Sequence, residues 1–329
     1  MLTRAGAAEI SAMVEPSVPG LTVFSAPKPF VDSRISTIQH NAILSWLSLG
    51  PRVEVLLVGD ETGIGKAARE LGVRHLGAVE CNAMGTPLIS AIFAAARSAA
   101  SHPVMAYANA DILLLDGFLP AVQRTAQRFP KFLIVGQRWD LDLATPLDFV
   151  NGWSADLRKR LAVEGRMHPP AGSDYFVFPR DLFDNLPAFA LGRAGWDNWM
   201  IFAARRRGVP VVDASGSITV VHQDHDYAHL GGGAPHHRLP ESLENVRLGG
   251  GPETVFTLAD STWCMPDKRL SRVRWPGGSI WRWAEAGIIV RLGPGRLLRF
   301  LRLLFRPRQA LRRLGSEALR RIRAPKEAV

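Results

Sequence analysis

Cysteine is nearly absent: Cys81 and Cys264 are the two in 329 residues. Two cysteines cannot build a disulfide framework, and these lack the C-x-x-C spacing of a zinc site, so the chain reads as a protein of a reducing compartment. Long apolar runs are missing too. No window approaches 18 uninterrupted apolar residues, which excludes a bilayer-spanning helix. The first twenty residues hold no apolar stretch of signal-peptide length. No repeat of 20–50 residues recurs, which argues against a solenoid or propeller. What is present is a core: 47% of residues are apolar, nine are Trp and only 21% are charged. That composition is not that of a disordered chain, and the length suits one large α/β domain with appendages or two modest domains.

The net charge of +10 is unevenly placed. Residues 268–329 hold 17 Lys and Arg against three Glu, which leaves 23 basic and 27 acidic residues in the first 267. The body is therefore mildly acidic, and the basicity belongs to a C-terminal segment.

Short apolar runs alternate with helical patterns along the body, the signature of a mainly parallel sheet flanked by helices. Strands are expected over 21–26, 53–59, 73–79, 103–108, 112–115, 131–136 and 173–179, with a strand pair over 209–221. Helices are expected over about 33–47, 66–71, 87–100, 117–128, 154–164 and 196–207, the first capped by Asp32 or Ser33. Residues 137–172 otherwise lose periodicity, and 228–252, with two Gly triplets, read as a mobile loop.

Gly59–Lys66 imitates a phosphate-binding loop, but its glycines miss the G-x-x-x-x-G-K spacing and Ala67 replaces the Ser or Thr. Gly63-Ile64-Gly65-Lys66-Ala67-Ala68 does fit G-x-G-x-x-A after a strand, a weak dinucleotide fingerprint whose plainer reading is a Gly-rich turn opening a short helix. Three other segments carry more. Asn109-Ala110-Asp111 ends an apolar strand, and alternation sends Asn109 and Asp111 to one side, where oxygen ligands suit a hard divalent cation. An Asx-type strand ending is the plainer alternative. Asp197, in Gly195-Trp196-Asp197-Asn198-Trp199, opens a helix. It reads as a cap or, between two tryptophans that suit sugar faces, as a carboxylate taking a proton from an attacking hydroxyl. His222, following an apolar strand in His222-Gln223-Asp224-His225-Asp226, offers an imidazole ligand, and His225 a weaker one.

Taken in order, these segments resemble the GT-A nucleotide-diphospho-sugar transferases, and among them the family-2-like bacterial glycosyltransferases, over about residues 20–228. The resemblance implies a Rossmann-like fold with a mainly parallel sheet flanked by helices. It implies that Pro27 and Lys28 hold the nucleotide after the first strand and that Asp60 contacts the base or ribose. Asn109-Ala110-Asp111 takes the place of the family's D-x-D metal motif, which makes Asp111 the main ligand for Mn²⁺ or Mg²⁺. His222 corresponds to a further metal ligand and Asp197 to the catalytic base. Asp174 and Trp196 fall on the acceptor side. A UDP- or GDP-linked donor is implied.

Residues 1–19 are then a flexible N-terminus, 20–228 the catalytic domain, 229–267 a Gly-rich loop region able to close over the donor, and 268–329 a basic amphipathic helical extension. In that extension Leu297, Leu298, Leu301, Leu304 and Phe305 share a helical face beside Arg296, Arg299, Arg302 and Arg306. The pattern suits an anionic membrane surface or packing on the body. No nucleic-acid recognition module accompanies the arginines. The expectation is a cytoplasmic enzyme, peripheral on the inner face of the plasma membrane, acting on a glycan or lipid-linked acceptor. An oxidoreductase built on residues 63–68 and a non-catalytic nucleotide-sugar binder are the alternatives. Trp139, Asp140 and Trp153 read as satellite packing before cleft lining.

Overall fold

The computed structural model describes residues 19–295 apart from 144, 151, 226–235 and 275–279. Strand β1 (Leu21–Ser25) is buried along its whole length between β2 (Val53–Val58) and β4 (Val104–Ala108), both parallel to it. Burial on both faces is why these segments are mostly apolar rather than alternating. Helix α1 (Ser33–Leu47) starts where the Asp32 carboxylate accepts the Ile35 N–H at 2.8 Å. Helix α2 (Ile64–Leu71) stops at Gly72, whose φ of 66° closes the helix in the left-handed conformation. Edge strand β3 (Arg74–Leu76) and helix α3 (Ile89–Ala99) follow.

The chain continues through β5 (Ile112–Leu114), α4 (Phe118–Arg128), β6 (Leu133–Val135), β7 (Trp139–Leu141), α5 (Trp153–Glu164), β8 (Arg166–Met167) and β9 (Tyr175–Pro179). Then come α6 (Trp196–Arg206), β10 (Val211–Asp213), β11 (Val220–Gln223), α7 (Pro240–Leu248), β12 (Trp263–Cys264), β13 (Ser271–Arg272) and α8 (Ile280–Leu292). Nine strands form one sheet in the order β13-β12-β10-β6-β9-β4-β1-β2-β3, mainly parallel, with β9 antiparallel to both neighbours. Four more form a small sheet, β5-β11-β7-β8. Along β1, Phe24 packs into the core on one side of the large sheet, while Leu21 and Val23 pack on the other. This is the mainly parallel, helix-flanked α/β architecture that the sequence predicts.

Three expectations change. The strand pair over 209–221 is not a pair, because β10 joins β6 and β12 in the large sheet while β11 joins β5 and β7 in the small one. Residues 137–172 contain β7 and β8, strands of three and two residues, too short to show a period of two. The loop expected over 228–252 holds α7, with Pro240 in its first turn, and its partner segment buries Phe256 and Leu258 in the main core. Trp139 and Trp153 pack on a satellite core formed by Leu113, Leu141, Leu157 and Val221. The leucine and arginine stripes after Leu297, and the N-terminal segment before residue 19, lie outside the described residues.

Candidate active site

The two sheets meet at Asn109-Ala110-Asp111. β4 belongs to the large sheet and β5 to the small one, so the triplet is the turn that carries the chain between them. The register of the small sheet then decides Asp111's neighbours. β11 runs antiparallel to β5 with His222 opposite Ile112, and parallel to β7 with His222 beside Asp140. The Asp111 carbonyl accepts the Gln223 N–H at 3.2 Å, which locks this register. Gln223, itself fully buried, is held by Asn41 of α1 at 3.0 Å.

Asp111 Oδ2 lies 3.0 Å from His225 Nε2 and 3.6 Å from His222 Nε2. Both imidazoles are almost wholly buried. On its other nitrogen, His222 approaches Asp140 at 3.3 Å and Asp224 at 3.5 Å. Burial raises the Asp111 carboxyl, but the two imidazoles outweigh it and hold the group well below the usual carboxylate range. Burial likewise lowers His222, and its hydrogen bond and charge interaction with Asp111 reverse this and raise it. Two buried atoms of the cluster, Asp111 Oδ1 and His222 Nδ1, have no hydrogen-bond partner among the described residues. A buried acceptor left unpaired is costly, and a cation ligand role accounts for Asp111 Oδ1. One carboxylate and two imidazoles within reach of one another form a donor set that fits a divalent metal, and imidazole nitrogens suit Mn²⁺ better than oxygen-seeking Mg²⁺.

Asn109 has a different task from Asp111. Its carbonyl accepts the Tyr107 hydroxyl at 2.9 Å and its amide donates to Asp174 Oδ1 at 2.9 Å. Asp174 in turn receives Arg138 at 2.8 Å, and the same guanidinium donates to Asp140 at 2.8 Å. Asn109, Asp174 and Arg138 thus brace the floor beside the metal-ligand cluster. Asn109 lines the cleft beside Asp111, with its side chain engaged by Tyr107 and Asp174.

Facing this cluster across a cleft of ≈970 Å³ is Asp197. Gly195, at φ 105°, turns the chain into α6 and directs its N–H to Asp197 Oδ1 at 3.3 Å. A Cβ on Gly172 would stand 2.4 Å from Asp197 Oδ2, so a side chain there would push the carboxylate from its present position. The loop holding Gly172 is tied to α6 by Asn198, which donates to the Ala171 carbonyl at 2.7 Å. Burial, reinforced by the charge of Asp174, pushes Asp197 up to about 6 against the lowering effect of backbone N–H groups. A carboxylate titrating near neutrality is suited to accept a proton and pass it on.

The expected nucleotide end is also on the cleft. Pro27 and Lys28 line it, clamped by Gln39, which receives the Lys28 N–H at 2.7 Å and donates to the Lys28 carbonyl at 3.0 Å. Asp60 is exposed and does not line the cleft; its neighbour Glu61 does, with a buried Oε2 that has no hydrogen-bond partner. The acid after β2 is therefore displaced by one residue from the expected position. Trp196 is 5% exposed and packs edge-on against Tyr107 and Phe93, so it is a largely buried indole that also lines the cleft. Trp199 packs on Phe189 and donates to the Gly249 carbonyl at 3.1 Å. The glycines of residues 63–68 serve packing: a Cβ on Gly63 would meet Phe30 at 2.8 Å, and none of the six lines the cleft.

Sequence reasoning brings together Pro27, Lys28, Asn109, Asp111, Asp174, Trp196, Asp197 and His222, and the structure puts all eight on one cavity wall or another. It misses Glu61, Arg138 and His168, reads Asp140 as packing before cleft lining, and undervalues His225. The one available signal was density: two His and two Asp within residues 222–226.

No family model and no curated protein matches the chain. Solved structures resemble it in part. A mannosyltransferase from Pyrobaculum calidifontis, in complex with GDP-Man and Mn²⁺, is 15% identical over 64% of this chain and 58% of its own, with a TM-score of 0.41. The chain thus spans under two thirds of that enzyme's length. A glucosyl-3-phosphoglycerate synthase from Mycobacterium tuberculosis, with Mn²⁺, UDP-glucose and phosphoglyceric acid, is 17% identical over 71% of this chain and 81% of its own, with a TM-score of 0.43. S. aureus TarS, in complex with UDP-GlcNAc, is 13% identical over 70% and 65%, with a TM-score of 0.45.

Proposed function

We propose that the chain is a GT-A-type glycosyltransferase that moves a sugar from a UDP- or GDP-linked donor to a hydroxyl acceptor. One observation carries the reading: the Asp111–His222–His225 cluster and the Asp197 carboxylate line a single cleft. Asp111, His222 and His225 would hold Mn²⁺, which when bound supplies positive charge to offset that developing on the leaving diphosphate. Lys28 adds a cation at the same end, and Gln39 fixes the loop that presents it. Glu61, in place of Asp60, offers its carboxylate to the ribose or base. Asp197 accepts the proton of the acceptor hydroxyl as its oxygen bonds to the anomeric carbon and the bond from that carbon to the diphosphate breaks. Asp174, braced by Arg138 and Asn109, borders the acceptor side.

The acceptor in this reading is a cell-envelope or lipid-linked glycan, and the enzyme sits on the cytoplasmic side, peripheral to an anionic membrane surface that its basic C-terminal segment favours. No described helix is long and apolar enough to cross a membrane.

Thermal unfolding with a panel of nucleotide sugars, with and without Mn²⁺, tests the transferase reading, because a ligand that binds the folded state raises its stability. One UDP- or GDP-sugar should raise the midpoint only with Mn²⁺ present, and should then be slowly hydrolysed. A shift with NADH and none with any nucleoside diphosphate would return the reading to an oxidoreductase.

A further inference from the structure

Helix α8 buries an ion-pair network beside its core-facing apolar residues and also exposes large apolar side chains. Its inward face carries charge: Arg282 donates to both carboxylate oxygens of Asp260 at 2.8 and 2.7 Å and to Glu285 at 3.0 Å. Asp260 is fully buried and Glu285 nearly so. Ala286 and Ile289, on the same side, reach the main core. The outward face is apolar instead. Ile280, Trp281, Trp283 and Leu292 are 57%, 68%, 49% and 52% exposed. At 100° per residue they share an outer half-turn with Ala284, Gly287, Arg291 and Ile288, of which Ile288 also packs partly against the main core, and no acidic residue falls on it.

We propose that this outer face of α8 is the surface by which the chain rests on an anionic lipid bilayer, with Trp281 and Trp283 in the interfacial layer. Tryptophan favours that layer because its indole is apolar with one polar edge. Arg291 stands on the same face, where its head can reach lipid phosphates while its stem stays among apolar groups. The following residues, 296–329, hold eleven Lys and Arg against two Glu. That excess draws a negative surface and repels a second copy of the same segment, which selects the bilayer over self-association. The proposal deepens the membrane-facing part of the reading above, and it stands or falls apart from sugar transfer.

Co-sedimentation of the full chain with vesicles of phosphatidylcholine, with and without phosphatidylglycerol, tests it. The wild type should bind the anionic vesicles, and Trp281→Ser with Trp283→Ser should weaken that binding by about tenfold or more. The thermal shift with nucleotide and Mn²⁺, measured on the same variants, should be unchanged and reports the transferase reading separately. A Trp281→Phe, Trp283→Phe chain keeps the apolar face and guards against misfolding of the serine variant. It should bind like the wild type but lose most of the fluorescence quenching by brominated lipid. Serine variants that bind as tightly as the wild type, quenching that survives in the phenylalanine chain, no binding at all, or a wild-type dimer that the serine changes make monomeric would each overturn the proposal.

Discussion

Replacing Asp197 by Asn tests the proton-acceptor role and the burial argument at once. With Asp197 titrating at about 6, roughly nine tenths of it is ionised at pH 7 and about one tenth at pH 5. The kcat/KM for transfer should therefore fall about tenfold over that interval, where an ordinary aspartate would lose less than about a tenth. Mn²⁺ and nucleotide affinities measured at each pH separate this fall from loss of metal or donor binding. Asp197→Asn should lower kcat by about 10² to 10⁴ at pH 7. Stability should move the other way. The folded pKa lies above the unfolded one, so the native state holds the extra proton between them. The wild type then gains stability as pH drops through about 6 and carries the full penalty at pH 7. Two pKa units correspond to about 3 kcal/mol, and the partial solvent contact of the side chain reduces that to about 1–2 kcal/mol. The expected protein is nearly inactive and melts a few degrees higher. A variant within tenfold of wild-type activity, or a flat pH profile down to 5, would refute the assignment.

Four further outcomes follow from the geometry. His225→Ala should weaken Mn²⁺ binding, read by electron paramagnetic resonance, at least as much as His222→Ala, because its Nε2 is nearer Asp111. Asp140→Asn, which changes the group beside His222 Nδ1, should cost about 10- to 100-fold in Mn²⁺ affinity while leaving the fold intact by circular dichroism. Glu61→Gln should weaken nucleotide binding in calorimetry, whereas Asp60→Asn should not, since only Glu61 lines the cleft. Arg282→Ala should destabilise the chain by about 3–5 kcal/mol in urea unfolding, because it strands the buried Asp260 carboxylate.

The elements that sequence reasoning finds are those with enough residues to show a period or a cap. β4 is an unbroken five-residue apolar run and β1 a mainly apolar one, α1 is announced by Asp32, and α2 ends at Gly72. Asp111, Asp197 and His222 are legible because each stands at the end of such an element. Asp140 and His168 are not, because β7 and β8 are too short for alternation and their meaning comes only from pairing with β11. Glu61 differs from Asp60 by one residue, and which of two adjacent acids enters a cleft depends on the turn at Gly59, where φ is 122°. For Trp196 the sequence is mute for a related reason: an aromatic beside a helix-opening acid looks the same whether it faces a cleft, the core or, as here, both. The ion-pair network of α8 is hidden because the burial of Arg282 and Glu285 depends on Asp260, some twenty residues earlier.

Helix α6 joins two parts of the molecule that serve different ends. Asp197 sits in its first turn, while Arg205 and Arg206 in its last turn hold the Asp260 carbonyl at 2.5 Å and the Val290 carbonyl of α8 at 2.8 Å. Eleven residues without Gly or Pro make a strut of about 16 Å with no hinge. If α8 lies against a membrane as proposed, the Asp197 carboxylate is thereby kept at a set altitude above it. In that reading the reach of a tethered acceptor, and not its chemistry alone, would decide which hydroxyl arrives at the carboxylate.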